Sequence, residues 1–257
     1  MITSTGNSQV KYLVQLQNKS KTRRENREFV VEGYKMVEEA PKDRVVKVYA
    51  SESFENSNAE ALKKLGLEYE SVSDNVFQQM SDTRTPQGIM AIVRMLEYTI
   101  DDILNGNPLI AAIENLQDPG NLGTIVRTGE GAGITGVLMS ANTVDIYNPK
   151  TIRSTMGSIF RVPFVYVEDF TAAIDMIRSR NVTVYAAHLD GKNSYTAENY
   201  TGPSAFLIGN EGNGLSETAA LKADVLIRIP MCGSVESLNA AIATTVLIYE
   251  AKRQRDI

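Results

Sequence analysis

The stretch Leu109-Ile-Ala-Ala-Ile-Glu-Asn-Leu-Gln-Asp-Pro-Gly-Asn-Leu-Gly-Thr-Ile-Val-Arg127 decides the fold of the larger part of the chain. It begins with an apolar segment of strand length, passes through a loop rich in Asn, Asp, Pro and Gly, and continues with helical spacing to Gly133. A second apolar segment follows at residues 134–140. A strand, a helix and a further strand in this order predict a parallel α/β unit.

The same alternation continues to the end of the chain. Strands are predicted at residues 109–114, 134–140, 162–167, 182–187, 205–208 and 225–229, with helices at 120–133, 170–180 and 238–252. This order predicts a mostly parallel sheet covered on both faces. Ligands bind such sheets at the carboxyl ends of the strands, where Gly, Asn and Ser let the backbone approach closely. Three loops have this composition: residues 115–128, 207–216 and 229–239.

The N-terminal part has shorter segments. Strands are predicted at residues 29–31, 45–50 and 88–93, and helices at 10–16, 34–40 and 59–65. These segments predict a small, separate α/β domain. A polar stretch with Asp-Asp and Asn-Gly-Asn-Pro follows and is typical of a linker. We therefore predict a first domain over residues 1–97, a linker over 98–107 and a second domain over 108–257.

The charge of the chain is unevenly distributed. Its net charge of −5 disfavours a protein that coats nucleic acid nonspecifically, because phosphate contacts need Lys and Arg. The first 30 residues nevertheless carry six basic side chains and two acidic ones; the basic ones are Lys11, Lys19, Lys21, Arg23, Arg24 and Arg27. A looser basic set is Arg127, Lys150, Arg153 and Arg161. The N-terminal basic stretch is either a solvated helix face or a contact with RNA.

Several classes of protein fit the sequence poorly. The chain has no run of 18 apolar residues and its first residues are polar, so we expect a soluble, cytoplasmic protein. Cys232 is the single cysteine and no Cys/His cluster has metal-ligand spacing, so we expect neither a disulfide nor a metal. The glycine-rich loops lack the G-x-G-x-x-G order, and Leu215 stands where a P-loop needs Lys. His188 is the single histidine and no serine lies in G-x-S-x-G, which disfavours a Ser-His-Asp hydrolase.

The three loops together resemble the three sequence motifs of the SpoU/TrmH family of RNA ribose 2′-O-methyltransferases, in the SPOUT superfamily. The matching residues are Asn121 and Arg127 in N-L-G-T-I-V-R-T, then Gly209, Glu211 and Gly214 in G-N-E-G-N-G-L-S, and then Ser237, Leu238 and Asn239 in S-L-N-A-A-I-A. Upstream, Arg27-Glu-Phe-Val-Val-Glu-Gly33 and Thr85-Pro-Gln-Gly-Ile-Met-Ala-Ile-Val93 resemble parts of the family's RNA-binding domain. The resemblance covers nearly the whole chain.

The resemblance implies an architecture and a set of functional residues. It implies an α/β protein with a SPOUT domain, whose parallel sheet carries a deep C-terminal trefoil knot, preceded by a small L30e-like RNA-binding domain. It also implies a homodimer that binds S-adenosylmethionine. The implied catalytic residues are Asn121, Arg127, Glu211, Ser237 and Asn239. The implied cofactor-binding residues are Leu207, Gly209, Asn210, Gly214, Ile229 and Leu238. We assign RNA binding to Lys19, Lys21, Arg23, Arg24, Arg27 and Arg153.

Chemical considerations refine these roles. Arg127 suits a role in positioning phosphate and stabilising oxyanion charge, because a guanidinium is a poor base. Glu211 could pair with the fork of Arg127, or could be an exposed loop carboxylate. Asn121 could orient Arg127 or the ribose, or could be a turn residue. Ser237 and Asn239 begin the last predicted helix, so they could cap it, face the RNA site, or both.

The substrate is less well defined by the sequence. The two-domain layout favours 23S ribosomal RNA, with guanosine as the preferred nucleoside, and a role in antibiotic resistance stays open. The alternatives are a transfer RNA 2′-O-methyltransferase, a noncatalytic RNA-binding or ribosome-assembly protein, and a nucleotide-cofactor enzyme unrelated to RNA.

Overall fold

The computed structural model describes residues 1–256 and divides the chain into two compact units. The first unit comprises Met1–Leu96 and Asp145–Phe160, and the second comprises Glu97–Val144 and the chain from Arg161 onward. The division differs from the predicted domain boundaries in two ways. The predicted linker belongs to the second unit and contains a helix, and residues 145–160 belong to the first unit. No helix within residues 1–256 has the length and apolar character to cross a membrane.

The elements are named in chain order. They are α1 (Ser8–Asn18), α2 (Ser20–Asn26), β1 (Glu28–Glu32), α3 (Tyr34–Glu39), β2 (Val45–Ser51), α4 (Glu52–Ser57), α5 (Ala59–Leu65), β3 (Tyr69–Val72), α6 (Asp74–Met80), β4 (Ile89–Arg94), α7 (Ile100–Ile103), β5 (Leu109–Ile113), α8 (Pro119–Ala132), β6 (Gly136–Ser140), α9 (Pro149–Thr155), β7 (Phe164–Val167), α10 (Phe170–Ser179), β8 (Thr183–Ala187), β9 (Asn193–Ser194), β10 (Ser204–Ile208), α11 (Glu217–Ala220), β11 (Val225–Arg228) and α12 (Ala240–Arg255).

The first unit is built on a four-stranded mixed sheet in the order β1-β4-β2-β3. Strand β4 is antiparallel to both β1 and β2, and β3 is parallel to β2. One face of this sheet packs against α1 and α6, where Leu13, Leu16 and Phe77 join Tyr49 and Met90 in a buried cluster. The predicted small α/β unit is therefore confirmed.

The second unit contains a seven-stranded sheet in the order β7-β6-β5-β10-β8-β11-β9. All of its strand pairs are parallel. Strands β5, β6 and β10 are buried at every position, which is typical of strands covered by helices on both faces. Strand β5 lies between β6 and β10, so the chain order reverses next to β5 and a crevice opens at the carboxyl ends of these strands. The predicted parallel α/β sheet is confirmed.

The two longest helices of the second unit begin at the predicted loops. The Asp118 carboxylate caps α8 by accepting a hydrogen bond from the Asn121 backbone N–H at 2.8 Å. Asn239 caps α12, because its Oδ1 accepts from the N–H groups of Ala241 at 2.9 Å and Ile242 at 3.3 Å. Helix α12 therefore begins at Ala240, two residues after the predicted start. Helices α8 and α12 pack against each other.

Helix α12 buries a different face from the one that the sequence spacing favours. The sequence spacing puts Leu238, Ala241, Ile242, Thr245, Val246 and Tyr249 on one face, which we expected to pack against the sheet or a second subunit. The buried residues are instead Ala240, Ala241, Thr244, Leu247, Ile248 and Ala251. Ile242 is 50% exposed and Tyr249 is 44% exposed. Small residues at several of the buried positions allow α12 to lie close to α8 and the sheet, while Ile242 and Tyr249 stay partly exposed.

The last turn of α12 is tied to the start of the sheet. The guanidinium of Arg255 donates to the backbone carbonyls of Asn107 and Pro108, both at 2.9 Å, of Tyr200 at 2.8 Å and of Gly202 at 2.6 Å. Burial holds the pKa of Arg255 below its ordinary value. The carbonyls supply the hydrogen bonds that a half-buried guanidinium needs. Pro108 directly precedes β5, so the end of α12 is held against the entrance to that strand.

Candidate functional site

The three predicted loops meet at the carboxyl ends of β5, β10 and β11. Glu211, in the loop after β10, joins the first two of them. Its carboxylate accepts hydrogen bonds from the backbone N–H groups of Gln117 at 3.2 Å and Asp118 at 3.1 Å, and from Asn121 Nδ2 at 2.9 Å. A single carboxylate therefore fixes the loop after β5 against the loop after β10.

Asn121 extends this contact to the third loop. Its Nδ2 donates to Glu211, and its Oδ1 accepts from Asn239 Nδ2 at 3.1 Å. Asn239 in turn uses its Oδ1 to cap α12. Each of the two side-chain amides uses its NH2 group as a donor on one side and its oxygen as an acceptor on the other. Glu211, Asn121 and Asn239 therefore form one continuous series of hydrogen bonds in which every donor meets an acceptor. Asn121 is thus more than a turn residue.

Arg127 lies one and a half turns further along α8 and its side chain is exposed. Within residues 1–256 it forms no hydrogen bond or ion pair. The ion pair that we predicted between Glu211 and Arg127 is absent, because the Glu211 oxygens are taken by donors from the loop after β5. The guanidinium is therefore left with all five of its N–H groups available for a ligand.

A cavity of about 470 Å³ lies beside this hydrogen-bonded chain, within the second unit. Five of the six predicted cofactor-binding residues line it: Gly209, Asn210, Gly214, Ile229 and Leu238. The sixth, Leu207, does not; it is fully buried inside β10 and packs into the core cluster of the second unit. Strand β10 continues past Leu207 to Ile208 before the loop begins, so the Leu207 side chain lies in the core and not at the cavity.

The loop after β10 has a tight form that leaves the cavity open. The backbones of Asn210 and Gly214 exchange two hydrogen bonds of 2.9 Å, and Asn210 Oδ1 accepts from the N–H of Gly212 at 2.8 Å. A Cβ at Gly209 would lie 2.0 Å from the carbonyl carbon of Gly214. Only glycine fits there. The cavity is lined by loop backbone, by apolar side chains that include Ile229 and Leu238, and by charged side chains that include Asp190 and Glu236. This mixture fits S-adenosylmethionine, because backbone amides and carbonyls could hydrogen-bond to adenine while apolar side chains contact its ring.

Comparison with known families identifies the family to which the chain belongs. The model of the SpoU rRNA Methylase family matches residues 108–249, more than half of the chain. The chain belongs to the SpoU rRNA methylase family. The model of the MRM3-like substrate binding domain matches residues 7–91. The predicted family and the predicted class of enzyme, an RNA methyltransferase, are confirmed.

Individual SpoU relatives extend over the same length. The chain is 33% identical over 254 residues to the 23S rRNA (guanosine(2553)-2'-O)-methyltransferase RlmP of Bacillus subtilis, covering 98% of each. It is 30% identical to a 23S rRNA (uridine(2479)-2'-O)-methyltransferase of Streptomyces viridochromogenes, over 76% of this chain and 71% of the relative. The crystal structure of the SpoU methyltransferase AviRb from the same organism, with the cofactor AdoMet, superposes with a TM-score of 0.87 and 28% identity, covering 97% and 99%. The family and this complex agree with S-adenosylmethionine as the cofactor.

Two other predicted SpoU site residues differ from expectation. Ser237 is exposed and lies in an irregular segment before the helix cap, so it does not cap α12, although it lines the cavity. Arg23 is only 3% exposed, and its guanidinium binds Asp145 at 2.6 Å and the carbonyls of Leu16 and Gln17. It therefore holds the first unit together and cannot serve as a free RNA contact.

The other predicted RNA-binding residues are accessible. Lys19, Lys21, Arg24 and Arg27 are exposed on or beside α2. Arg153 on α9 pairs with Asp82 at 2.8 Å and is part of the first unit. The basic stretch is thus an exposed surface on and beside α2, and its binding of RNA stays a prediction.

Glu114 is a functional position that sequence reasoning missed. It ends the buried run of β5 and is 8% exposed. Its carboxylate accepts from the Ser216 backbone N–H at 2.7 Å and from Ser216 Oγ at 2.6 Å. It therefore fixes the far end of the loop after β10. A charged residue directly after five apolar strand residues was the signal available in the sequence.

We expect Glu114→Ala to destabilise the protein by about 2–3 kcal/mol, because the hydrogen bonds that the buried Glu114 carboxylate accepts from the N–H and Oγ of Ser216 would be lost. Urea unfolding monitored by circular dichroism would measure this. Glu217→Ala is the matched control, since Glu217 is exposed in the same region. Equal unfolding midpoints for the two variants would show that Glu114 does not stabilise the loop.

Glu211 should make the stability of the site depend on pH. Burial raises the pKa of its carboxyl, but hydrogen bonds from Asn121 and from backbone N–H groups outweigh this and hold the pKa below its ordinary value. A lowered pKa contributes stability that is present above the unfolded value, roughly pH 4.3, and is lost as the pH falls through the folded value. The difference in Tm between wild type and Glu211→Gln should therefore shrink below that pH. A difference in Tm for Glu211→Gln that stays the same at all pH values would contradict the assignment.

Proposed function

We propose that this enzyme transfers the methyl group of S-adenosylmethionine to a ribose 2′-hydroxyl of 23S ribosomal RNA, with guanosine as the preferred nucleoside. The observation that carries the proposal is the hydrogen-bonded chain Glu211–Asn121–Asn239, which lies beside a glycine-lined cavity and on the same helix as a free Arg127. The names of the relatives support ribose methylation of 23S RNA. Guanosine is favoured over uridine because the RlmP relative matches over more of its length.

The residues of the chain would act on the RNA side of the reaction. S-adenosylmethionine supplies an already activated methyl group when it is bound. The ribose hydroxyl is a weak nucleophile and must be held in line with that methyl group as it loses its proton. Arg127 binds a neighbouring phosphate and stabilises the negative charge that develops on the ribose oxygen. Asn121 and Asn239 keep the three loops in one fixed arrangement around the reacting atoms.

We also propose an oligomeric state and a cellular location for the enzyme. The exposed Ile242 and Tyr249 on α12 form an apolar surface that suits a homodimer through the predicted knotted region. The trefoil knot and the dimer follow from the family resemblance. The enzyme would act in the cytoplasm, where its RNA substrate is.

Labelled methyl transfer to RNA tests the proposed function. Purified enzyme, labelled S-adenosylmethionine and total RNA from cells lacking the gene are incubated, the ribosomal and transfer fractions are separated, and the nucleosides are analysed by mass. We expect a 2′-O-methylated guanosine in the 23S fraction. Label in the transfer RNA fraction would instead identify a transfer RNA enzyme. Cofactor binding without incorporation into any RNA would favour a noncatalytic assembly protein.

A further inference from the structure

A carboxylate outside the methyl-transfer site organises a loop of the first unit. Glu32 ends β1, and its two oxygens accept from Ser81 Oγ at 2.9 and 2.8 Å, from Thr83 Oγ1 at 3.2 Å and from the Gln87 N–H at 3.4 Å. All of these donors lie in the segment 81–87 between α6 and β4, which we call the Arg84 loop. One side chain thus holds both ends of this loop.

Two further contacts fix the same loop. Asp82 pairs with Arg153 of α9 at 2.8 Å. Gly33 has a φ of +101°, and a Cβ there would lie 2.5 Å from Gln87 Oε1, so the loop folds closely onto this glycine. Because several contacts order the loop before any ligand arrives, binding through it would cost little additional ordering.

Arg84 occupies the middle of this loop and takes no part in these contacts. Its side chain is exposed, and within residues 1–256 it forms no hydrogen bond or ion pair. A fixed backbone that presents an unpaired guanidinium suits the recognition of an external phosphate, to which guanidinium can donate two parallel hydrogen bonds.

We propose that the Arg84 loop is an RNA-binding surface, in which Arg84 binds a backbone phosphate of the substrate and Glu32 positions Arg84. This inference rests on the proposed function, since it names a substrate contact of the same enzyme. Arg27 directly precedes β1 and Glu32 ends it, so their backbones lie roughly 17 Å apart at 3.3 Å per residue, and exposed cationic side chains lie near both ends of one strand. Separated cationic points on one surface match the regularly repeated phosphates of a nucleic acid strand.

Binding of full-length enzyme to protein-free 23S ribosomal RNA tests this inference. We expect Arg84→Ala to weaken RNA affinity about tenfold and to lower the slope of log affinity against log salt by about one. Arg84→Lys should be intermediate. Lys63→Ala is the matched control, because Lys63 is an exposed cation of the same unit with no partner within residues 1–256. Affinity for S-adenosylmethionine should be unchanged in all of these variants.

A double-mutant cycle tests the positioning role of Glu32. Glu32→Gln should weaken RNA affinity roughly fivefold in the wild type but add nothing in the Arg84→Ala background, because the two residues act as one unit. Additive losses would show that Glu32 acts independently of Arg84. If wild type methylates the RNA while Arg84→Ala behaves like Lys63→Ala, the inference alone is overturned. If wild type neither binds nor methylates 23S RNA, the proposed function fails and this inference fails with it.

Discussion

Arg127→Ala is expected to lower kcat for RNA methylation by about 10²–10³-fold and to leave the affinity for S-adenosylmethionine unchanged. The guanidinium has no partner within residues 1–256, so its loss should not disturb the fold, and the cavity is lined by other residues. The loss reflects the missing stabilisation of developing charge in the transition state, which is the usual effect of removing one such donor. Single-turnover methyl transfer and calorimetric titration of the cofactor would measure the two quantities separately.

Two further variants distinguish a charge effect from proton abstraction. Arg127→Lys should keep part of the activity, because a lysine can still bind phosphate as a point charge. Arg180→Ala is the control, since Arg180 is an exposed residue of the same unit whose ion pair with Asp101, at 3.4 Å, should contribute little. If Arg127→Ala retained the activity of Arg180→Ala, Arg127 would have no role in the reaction.

Gly209→Ala is expected to weaken binding of S-adenosylmethionine by about a hundredfold, equivalent to about 2.7 kcal/mol. The added Cβ would lie 2.0 Å from Gly214 C and 2.1 Å from Leu215 N. Both are backbone atoms, which cannot rotate away, so the loop after β10 would have to open and the cavity would lose its shape. Cofactor titration together with a thermal melt would separate lost binding from lost folding.

Gly202→Ala provides the comparison for this prediction. A Cβ at Gly202 has no neighbour within 4 Å, so this variant should bind cofactor normally. Normal binding by Gly209→Ala as well would mean that the tight loop is not required for the cofactor.

The sequence predicted the main strands of the second unit because they are short apolar runs, and it predicted the site loops because these are rich in Gly, Asn and Ser. Strand β10 and helix α8 lie within one residue of their predicted bounds. The choice of partners inside the site was not predictable in the same way. Glu211 could accept from any nearby donor, and only the folded chain brings Gln117, Asp118 and Asn121 closer than Arg127.

Long-range contacts explain the other differences. Arg23 lies in a basic run that is typical of an exposed helix face, but Asp145, 122 residues later, binds it in the first unit. Nothing local to the segment 145–160 indicates that it belongs with the N-terminal residues. The buried face of α12 is likewise set by the close packing of Ala and Thr against α8, whereas hydrophobic spacing gives weight to the larger Ile242 and Tyr249.

The bonds of Arg255 have a consequence for how the protein is made. Strand β5 is synthesised long before Arg255, whose guanidinium binds the carbonyls of Asn107 and Pro108 just before that strand. The first unit also cannot be completed until Asp145–Phe160 has been synthesised. Domains usually fold as units during synthesis, beginning from the N-terminus. Here the two units are interleaved along the chain, so neither can be completed before part of the other has been synthesised.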